Sequence, residues 1–163
     1  MVWNDGKLTE WGEAGGVTPF DKELINPASI DLCLGNKYRV PEIDKWSEIY
    51  RIPHSGVTLN LNEFILLHTF ETVRIPTDAT GFLYLKSTMG RRGLEHLHAG
   101  YVDAGFHGQL TLEIVNHWPY PQKIYAYTPF VQLVIASLNS TVLRSYADRG
   151  HYQNQTGPTP QWR

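Results

Sequence analysis

A glutamate in the middle of a regular amphipathic strand is the first residue of this sequence with a type and place suited to chemistry. In residues 109–115, QLTLEIV, apolar and polar residues alternate, and this period of two predicts a half-buried strand. Glu113 is unusual there, because glutamate is depleted in strands and its carboxylate is costly to bury without a partner. Two interpretations are open. Glu113 lies on an exposed strand face, or it faces a pocket as a general base with Arg91 as its ionic partner.

A second candidate is the run LKSTMGRRGL, residues 85–94. A predicted strand delivers Lys86, Ser87 and Thr88 to a turn, and Arg91 follows within one turn of a short helix that has Ser87 as its N-cap. Hydroxyl, guanidinium and backbone N–H groups at such a place can bind an anion. The alternative is a capped surface helix with solvated arginines, since the run lacks the GxxxxGK(S/T) pattern of a P-loop.

A third candidate is the run HLHAGYVDAGFHG, residues 96–108, which predicts a hairpin with Tyr101 in its first strand and Asp103 at its turn. Main-chain groups at the mouth of a hairpin are suited to contact the edge of a base, and Asp103 could accept a hydrogen bond from a sugar hydroxyl. The alternative is an ordinary turn aspartate.

The histidines and the single cysteine do not form a zinc pattern. His96, His98, His107 and His117 lack the spacing of a three- or four-ligand site, and the H-x-E and P-C-x-x-C motifs of zinc nucleobase deaminases are missing from the sequence. Because Cys33 is the one cysteine, an internal disulfide is excluded. The sequence therefore predicts no zinc.

The elements that must position these residues are mostly β. Glycine and proline separate short alternating runs, so we predict an antiparallel barrel or sandwich with a few short helices, the first at residues 9–14. The predicted strands cover residues 29–34, 37–40, 57–61, 64–69, 71–74, 81–85, 101–103, 109–116, 123–125 and 131–138. Residues 148–163 are polar and predict an extended arm that hydrogen-bonds a ligand, the alternative being terminal disorder.

Length and charge limit the function classes. A chain of 163 residues predicts a single domain, and the net charge of −2 disfavours a general nucleic-acid or membrane-surface binder. No apolar run approaches 18 residues, and the N-terminus lacks a secretion signal. The expected location is therefore the cytoplasm, with no membrane partner.

Taken together in chain order, four runs are similar to the dCTP deaminase branch of the dUTPase-like superfamily. They are INPASIDLCLGNKYRV, LKSTMGRRGL, AGYVDAGFHGQLTLEIVN and YQNQTGPTP. The resemblance implies a mostly β subunit with a distorted antiparallel β-barrel or jelly-roll of the dUTPase-like type. It also implies a homotrimer with active sites between subunits. The implied reaction is zinc-independent deamination of a deoxycytidine nucleotide, with Mg²⁺ bound only through the nucleotide phosphates.

The resemblance also implies a role for each candidate residue. Glu113 corresponds to the catalytic glutamate, and Arg91 to the arginine that serves as its ionic partner. Ser87 and the main chain of Ala99 help to orient the water and the amino group. The implied nucleotide-binding residues are Lys86, Thr88, Tyr101, Asp103, Tyr146, His151, Tyr152 and Gln155. His96 and His98 are candidates for contacts on the base side or for regulation.

Two departures from the family pattern concern the substrate and its control. His98 replaces the usual threonine before the alanine, in a segment one residue short, which puts inhibition by dTTP and the response to substituents at C5 of the base in doubt. His151 replaces a lysine that faces phosphate, and a mostly neutral imidazole changes the affinity for a triphosphate.

We therefore expect hydrolysis of dCTP, or of a close deoxycytidine nucleotide, to dUTP and ammonia. Two alternatives are a bifunctional dCTP deaminase and dUTPase, in which Asp103 activates a water at the α-phosphate, and a non-catalytic nucleotide-binding relative.

Overall fold

The computed structural model describes residues 1–97 and 99–161. Its α-helices are α1 (Asp5–Trp11), α2 (Ser87–Gly90) and α3 (Tyr146–Arg149). A π-helical turn covers Gly12–Gly16, and a 3₁₀-helical turn covers Lys22–Leu24. Its strands are β1 (Val17–Thr18), β2 (Ile25–Asn26), β3 (Ser29–Cys33), β4 (Lys37–Tyr38), β5 (Pro41–Glu42), β6 (Lys45–Trp46), β7 (Tyr50–Arg51), β8 (Val57–Leu59), β9 (Phe64–Arg74), β10 (Ala79–Leu85), β11 (Leu94–His96), β12 (Tyr101–Val102), β13 (His107–Asn116), β14 (Gln122–Ile124) and β15 (Pro129–Ser137). The predicted mostly β architecture with a few short helices is confirmed.

The longer strands form two antiparallel sheets. One has the order β1-β9-β13-β11, and the other has the order β12-β10-β15-β3-β2. Buried side chains of both sheets contribute to one core, among them Leu32, Leu67, Leu112, Phe130 and Leu133. Burial of these apolar surfaces is the main stabilising contribution to such a fold.

The strand β13 has the alternation that its sequence predicts. From His107 to Asn116, partly exposed and buried residues alternate without a break. Glu113 lies opposite Leu66 of β9, and His96 of β11 lies opposite Ile114. Because β13 is bonded to β9 along most of its length, the carboxylate of Glu113 projects from a strand that the sheet holds in place.

The predicted hairpin at Asp103 is wrong. Tyr101 and Val102 form β12, which pairs with β10 rather than with β13. The turn after Asp103, closed by the bond from Phe106 N to Asp103 O (3.1 Å), carries the chain from one sheet to the other. The turn residues are as expected, but local sequence does not determine which strand each side of a turn joins.

The short helices differ in detail from the prediction. The first begins earlier, at Asp5, because the side chain of Asn4 accepts a hydrogen bond from Lys7 N (3.0 Å) and caps it. The predicted N-cap Ser87 is instead the first residue of α2, and Lys86, with extended backbone, is the N-cap. Among the described residues, no helix is long and apolar enough to cross a membrane.

Residues 150–161, which we call the C-terminal arm, lie along the part of β13 that β11 leaves uncovered. Asn154 N donates to His107 O (2.7 Å), and Gln109 N donates to Gln155 O (3.0 Å). Gly157 and Pro158 are buried in this contact. The last two residues of the predicted arm, 162 and 163, lie outside the described residues.

Candidate active site

A cavity of about 410 Å³ lies between the polar face of β13, the turn after β12 and the C-terminal arm. The predicted site residues that line it are Ala99, Tyr101, Asp103, Glu113, Tyr146, Tyr152 and Gln155. They come from three separate segments of the sequence. The structure thus brings the predicted acid–base residue, the base-side alanine and the sugar-side aspartate to one place.

Glu113 is partly buried in this cavity, with 27% of its side chain exposed. Its Oε2 atom is buried and has no hydrogen-bond partner in the described part of the chain. The imidazole of His96 lies beside it, with Nε2 3.4 Å from Oε2, and this Nε2 is likewise buried without a hydrogen bond among the described residues. Unpaired buried polar atoms cost stability, so their presence at a cavity is typical of a site that a ligand completes.

The expected contact between Glu113 and Arg91 is not found within the described chain, where the side chain of His96 lies beside the carboxylate of Glu113. Arg91 lies at the exposed end of α2. The α2 segment does not line the cavity of Glu113. The α2 helix links β10 of the second sheet to β11 of the first, and Arg91 is exposed at this connection.

The other residues of the α2 segment have separate surroundings. Ser87 and Thr88 are exposed. The ammonium group of Lys86 is paired with the buried carboxylate of Asp31, which also accepts a hydrogen bond from Asn26 Nδ2 (2.9 Å). Within one chain, then, Lys86 is engaged with Asp31 and the hydroxyls face solvent.

The walls next to Glu113 are largely apolar. Leu66 and Phe64 of β9 line the cavity together with Trp46, and the rings of Trp46 and Phe64 pack edge to face with centroids 5.5 Å apart. Trp46 Nε1 donates to Gln161 Oε1 of the arm. A flat, partly apolar ring is therefore the kind of ligand group that this end of the cavity suits.

The opposite end of the cavity adjoins a second one of about 370 Å³ with basic walls. Arg144, Arg149 and His151 line it, and Asp103, Tyr101 and Tyr146 line both cavities. The hydroxyl of Tyr146 accepts a hydrogen bond from Tyr152 N (3.2 Å), and burial raises the pKa of Tyr146. Two guanidinium groups beside an aspartate suit the phosphates and sugar of a nucleotide.

Several lining residues were not predicted from the sequence. Trp46 and Gln161 have no local motif, and they meet only because the arm reaches Trp46 of β6. Arg144 and Arg149 do carry a signal in the sequence, two cations within six residues around the start of the predicted arm. Of the two histidine candidates, His96 lies beside Glu113, and His98 lies outside the described residues.

Comparison with solved structures defines the fold class. The chain is similar to 2'-deoxycytidine 5'-triphosphate deaminase from Agrobacterium tumefaciens, with a TM-score of 0.71, 22% identity, and coverage of 82% of this chain and 47% of that one. It is also similar to a dUTPase of Staphylococcus bacteriophage 80alpha, with a TM-score of 0.51, 20% identity, and coverage of 78% and 85%. At these identities the likeness establishes a fold of the dUTPase-like type.

Comparison of sequences defines the family. The model of the dCTP deaminase-like family matches residues 7–138. The "dCTP deaminase, dUMP-forming" of Thermobifida fusca is 36% identical, over 98% of this chain and 91% of the relative. The "dCTP deaminase" of Ignicoccus hospitalis is 31% identical, over 96% and 94%. The chain belongs to the dCTP deaminase-like family, and the family and enzyme class predicted from the sequence are confirmed.

Proposed function

We propose that this protein hydrolyses the amino group of dCTP, releasing ammonia. The observation that carries the proposal is the buried Oε2 of Glu113, which has no hydrogen-bond partner in residues 1–97 and 99–161, in a cavity that Ala99 and Asp103 also line. The relatives' names, which specify dCTP deaminases, support the same substrate.

The chemistry assigned to Glu113 is general acid–base catalysis. Its carboxylate takes a proton from a water whose oxygen attacks C4 of the cytosine. The proton then passes to N3 of the base. Glu113 carries the proton of the new C4 hydroxyl to the amino nitrogen, so that the C4–N bond breaks, ammonia leaves and the C4 carbonyl forms. One water is consumed for each ammonia released, and no zinc is needed for this sequence of steps. The main chain of Ala99, at the wall of the same cavity, is suited to orient the water and the amino group.

The proposed site needs a second copy of the chain. Ser87 and Arg91 are exposed on α2 and do not line the cavity of their own chain. We propose that in a homotrimer these residues, with Thr88, reach the cavity of a neighbouring subunit. Each subunit would then supply Glu113 to one site and Arg91 to another.

The phosphates are expected to occupy the cavity of Arg144, Arg149 and His151, and Mg²⁺ is expected to arrive with them. Of the residues that the structure describes, Asp103 is the one carboxylate at the wall of that cavity. This donor set fits a cation held mainly by phosphate oxygens and water rather than by a protein cage. When bound, Mg²⁺ would neutralise phosphate charge.

The product named for two relatives is dUMP, whereas the sequence led us to expect dUTP. Those of Thermobifida fusca and Persephonella marina are both named as dUMP-forming. Asp103, which lies at both cavities, is placed between the base end and the basic end. We therefore propose that deamination is followed by hydrolysis between the α- and β-phosphates, which consumes a second water and gives dUMP and pyrophosphate.

A direct assay tests the proposal. The protein is incubated with Mg²⁺ and each of dCTP, dCMP, 5-methyl-dCTP and dUTP, and ammonia, pyrophosphate and the nucleotides are quantified. Ammonia and dUMP from dCTP are expected. Ammonia with accumulating dUTP would leave deamination standing and exclude the second hydrolysis. Nucleotide binding without ammonia release would contradict the proposal and indicate a non-catalytic nucleotide-binding protein.

A further inference from the structure

The polar face of β13 carries three residues in succession, Gln109, Thr111 and Glu113, and the first two bind the C-terminal arm through their side chains. All three are partly exposed and alternate with the buried residues of the strand. Since side chains two apart lie on the same face of a strand, the binding of the arm and the exposure of the carboxylate occur on one surface.

Gln109 connects the arm to the sheet. Its side-chain Oε1 accepts a hydrogen bond from Gly157 N (2.7 Å), and its Nε2 donates to Phe70 O of β9 (3.0 Å). Its main-chain O accepts from Gln155 Nε2 (2.7 Å). Both polar atoms of the Gln109 side-chain amide are therefore hydrogen-bonded, the oxygen to the arm and the nitrogen to the neighbouring strand β9.

Thr111 makes the next contact along the strand. Its Oγ1 accepts a hydrogen bond from Thr159 N (3.1 Å). The approach of the two segments is close, because a Cβ atom added to Gly108 would lie 3.0 Å from Gln155 N. Farther along the arm, Arg39 Nε donates to Pro158 O (3.2 Å).

These contacts fix arm residues that form the wall of the cavity of Glu113. Tyr152, Gln155 and Thr159 line that cavity. A strand rises about 3.3 Å per residue, so Gln109 lies ~13 Å and Thr111 ~7 Å from Glu113 along β13. The position of the arm relative to the carboxylate is thus set by contacts with the same strand that carries Glu113.

We propose that Gln109 and Thr111 are positioning residues for the deamination, which hold the arm against β13 so that the nucleotide cavity exists before the nucleotide binds. The proposal rests on the proposed function. An arm that is already ordered lowers the entropy cost of nucleotide binding. Losing this order should therefore raise KM and leave kcat, which reports the chemical step, unchanged.

Four variants test it. Gln109→Ala removes the acceptor for Gly157 N, and Thr111→Val removes the acceptor for Thr159 N at nearly constant shape. Thr111→Ser keeps the hydroxyl. Thr58→Val is the matched control, because Thr58 is exposed on β8, away from the arm.

Two measurements are made on each variant. Without nucleotide, amide exchange measured by NMR should accelerate about fivefold at Gly157 in Gln109→Ala and at Thr159 in Thr111→Val, the effect of losing one ordinary hydrogen bond. With dCTP, KM should rise about fivefold in both variants, while kcat stays within about twofold. Thr111→Ser and Thr58→Val should match the wild type.

An unchanged KM in both Gln109→Ala and Thr111→Val would overturn the proposal. A lower KM in both would also overturn it, because it would show that the arm obstructs nucleotide binding. Unchanged amide exchange would overturn it as well. If the wild type releases no ammonia, the proposed function fails separately. Equilibrium dialysis of dCTP then replaces KM, and equal Kd values for the wild type and Gln109→Ala would overturn the positioning role.

Discussion

His96 Nε2 lies 3.4 Å from Glu113 Oε2, and neither atom has a hydrogen-bond partner within the described residues. His96 has 5% of its side chain exposed, so bulk water does not compensate for the missing bonds. His96 lies on β11 and Glu113 on the neighbouring strand β13. This pairing keeps the imidazole and the carboxylate close but does not give them hydrogen-bond geometry. A water or an amino group held between these atoms would satisfy both.

Replacing Glu113 by Gln should reduce kcat for ammonia release by about 10²- to 10⁴-fold, the usual contribution of a positioned acid–base group. The shape of the side chain is kept, so dCTP binding should persist. Ammonia release and dialysis measure the two quantities. Full activity in Glu113→Gln would refute the assigned role.

Replacing His96 by Leu should reduce kcat about tenfold, because the carboxylate loses the neighbour that helps to hold its reacting water. The effect should disappear in the Glu113→Gln background, since two residues that act through each other are not additive. Steady-state rates of the two single variants and the double variant complete the cycle. Equal effects of His96→Leu in both backgrounds would show that the histidine acts independently of Glu113.

Replacing Asp103 by Asn should separate the two proposed reactions. Ammonia release from dCTP should continue at a reduced rate, while pyrophosphate release falls about 10²-fold or more, because the amide cannot take a proton from a water at the α-phosphate. Chromatography should show dUTP in place of dUMP. A product ratio equal to that of the wild type would exclude this role for Asp103.

The fold was predictable from the sequence where a strand was long and had two distinct faces. The stretch around Glu113 has strict alternation and forms β13 as expected. The expected strands at residues 64–69 and 71–74 are joined in one strand, β9, because Phe70 continues the extended backbone rather than interrupting it. The two-residue strands β5, β6 and β7 have no periodicity to detect and were missed.

The sequence motifs predicted several of the residues that line the candidate site, but they did not predict which of these side chains contact one another. Glu113, Asp103 and Gln155, which the motifs singled out, line one cavity, and their roles stay predictions. The motifs did not place His96 beside Glu113, because β11 was not predicted and adjacency across a sheet depends on pairing. They also suggested Arg91 as a partner of Glu113, because spacing along the chain does not show which side chains meet in the fold.

The pH dependence of stability should contain a contribution from Glu71, which is buried outside the candidate site. Its Oε2 accepts a hydrogen bond from Cys33 N (2.9 Å), and burial raises the pKa of Glu71 above its usual 4.5. The folded state therefore binds this proton more tightly than the unfolded state. The stabilisation is fully present below pH 4.5 and is lost as the pH rises through the raised pKa.

The variant Glu71→Gln has no titrating group and should lack this loss. Urea unfolding of both proteins between pH 4 and pH 8 should show the wild type losing free energy of unfolding relative to the variant as the pH rises. A constant difference across this range would contradict the raised pKa. The neighbouring thiol of Cys33, whose pKa burial raises to about 12, stays protonated throughout and does not complicate the comparison.

Gly35 should be intolerant of a side chain because of the buried ring of His68. A Cβ atom at Gly35 would lie 2.0 Å from His68 Cε1, and His68 Nδ1 is bonded to Thr69 O (2.8 Å), which restricts movement of the ring. Gly35→Ala should therefore lower the free energy of unfolding by about 1–3 kcal/mol, the usual cost of overpacking. Gly90→Ala is the control, since a Cβ there meets nothing within 4 Å. Urea denaturation that ranks the two variants equally would show that the His68 ring yields to the added methyl group.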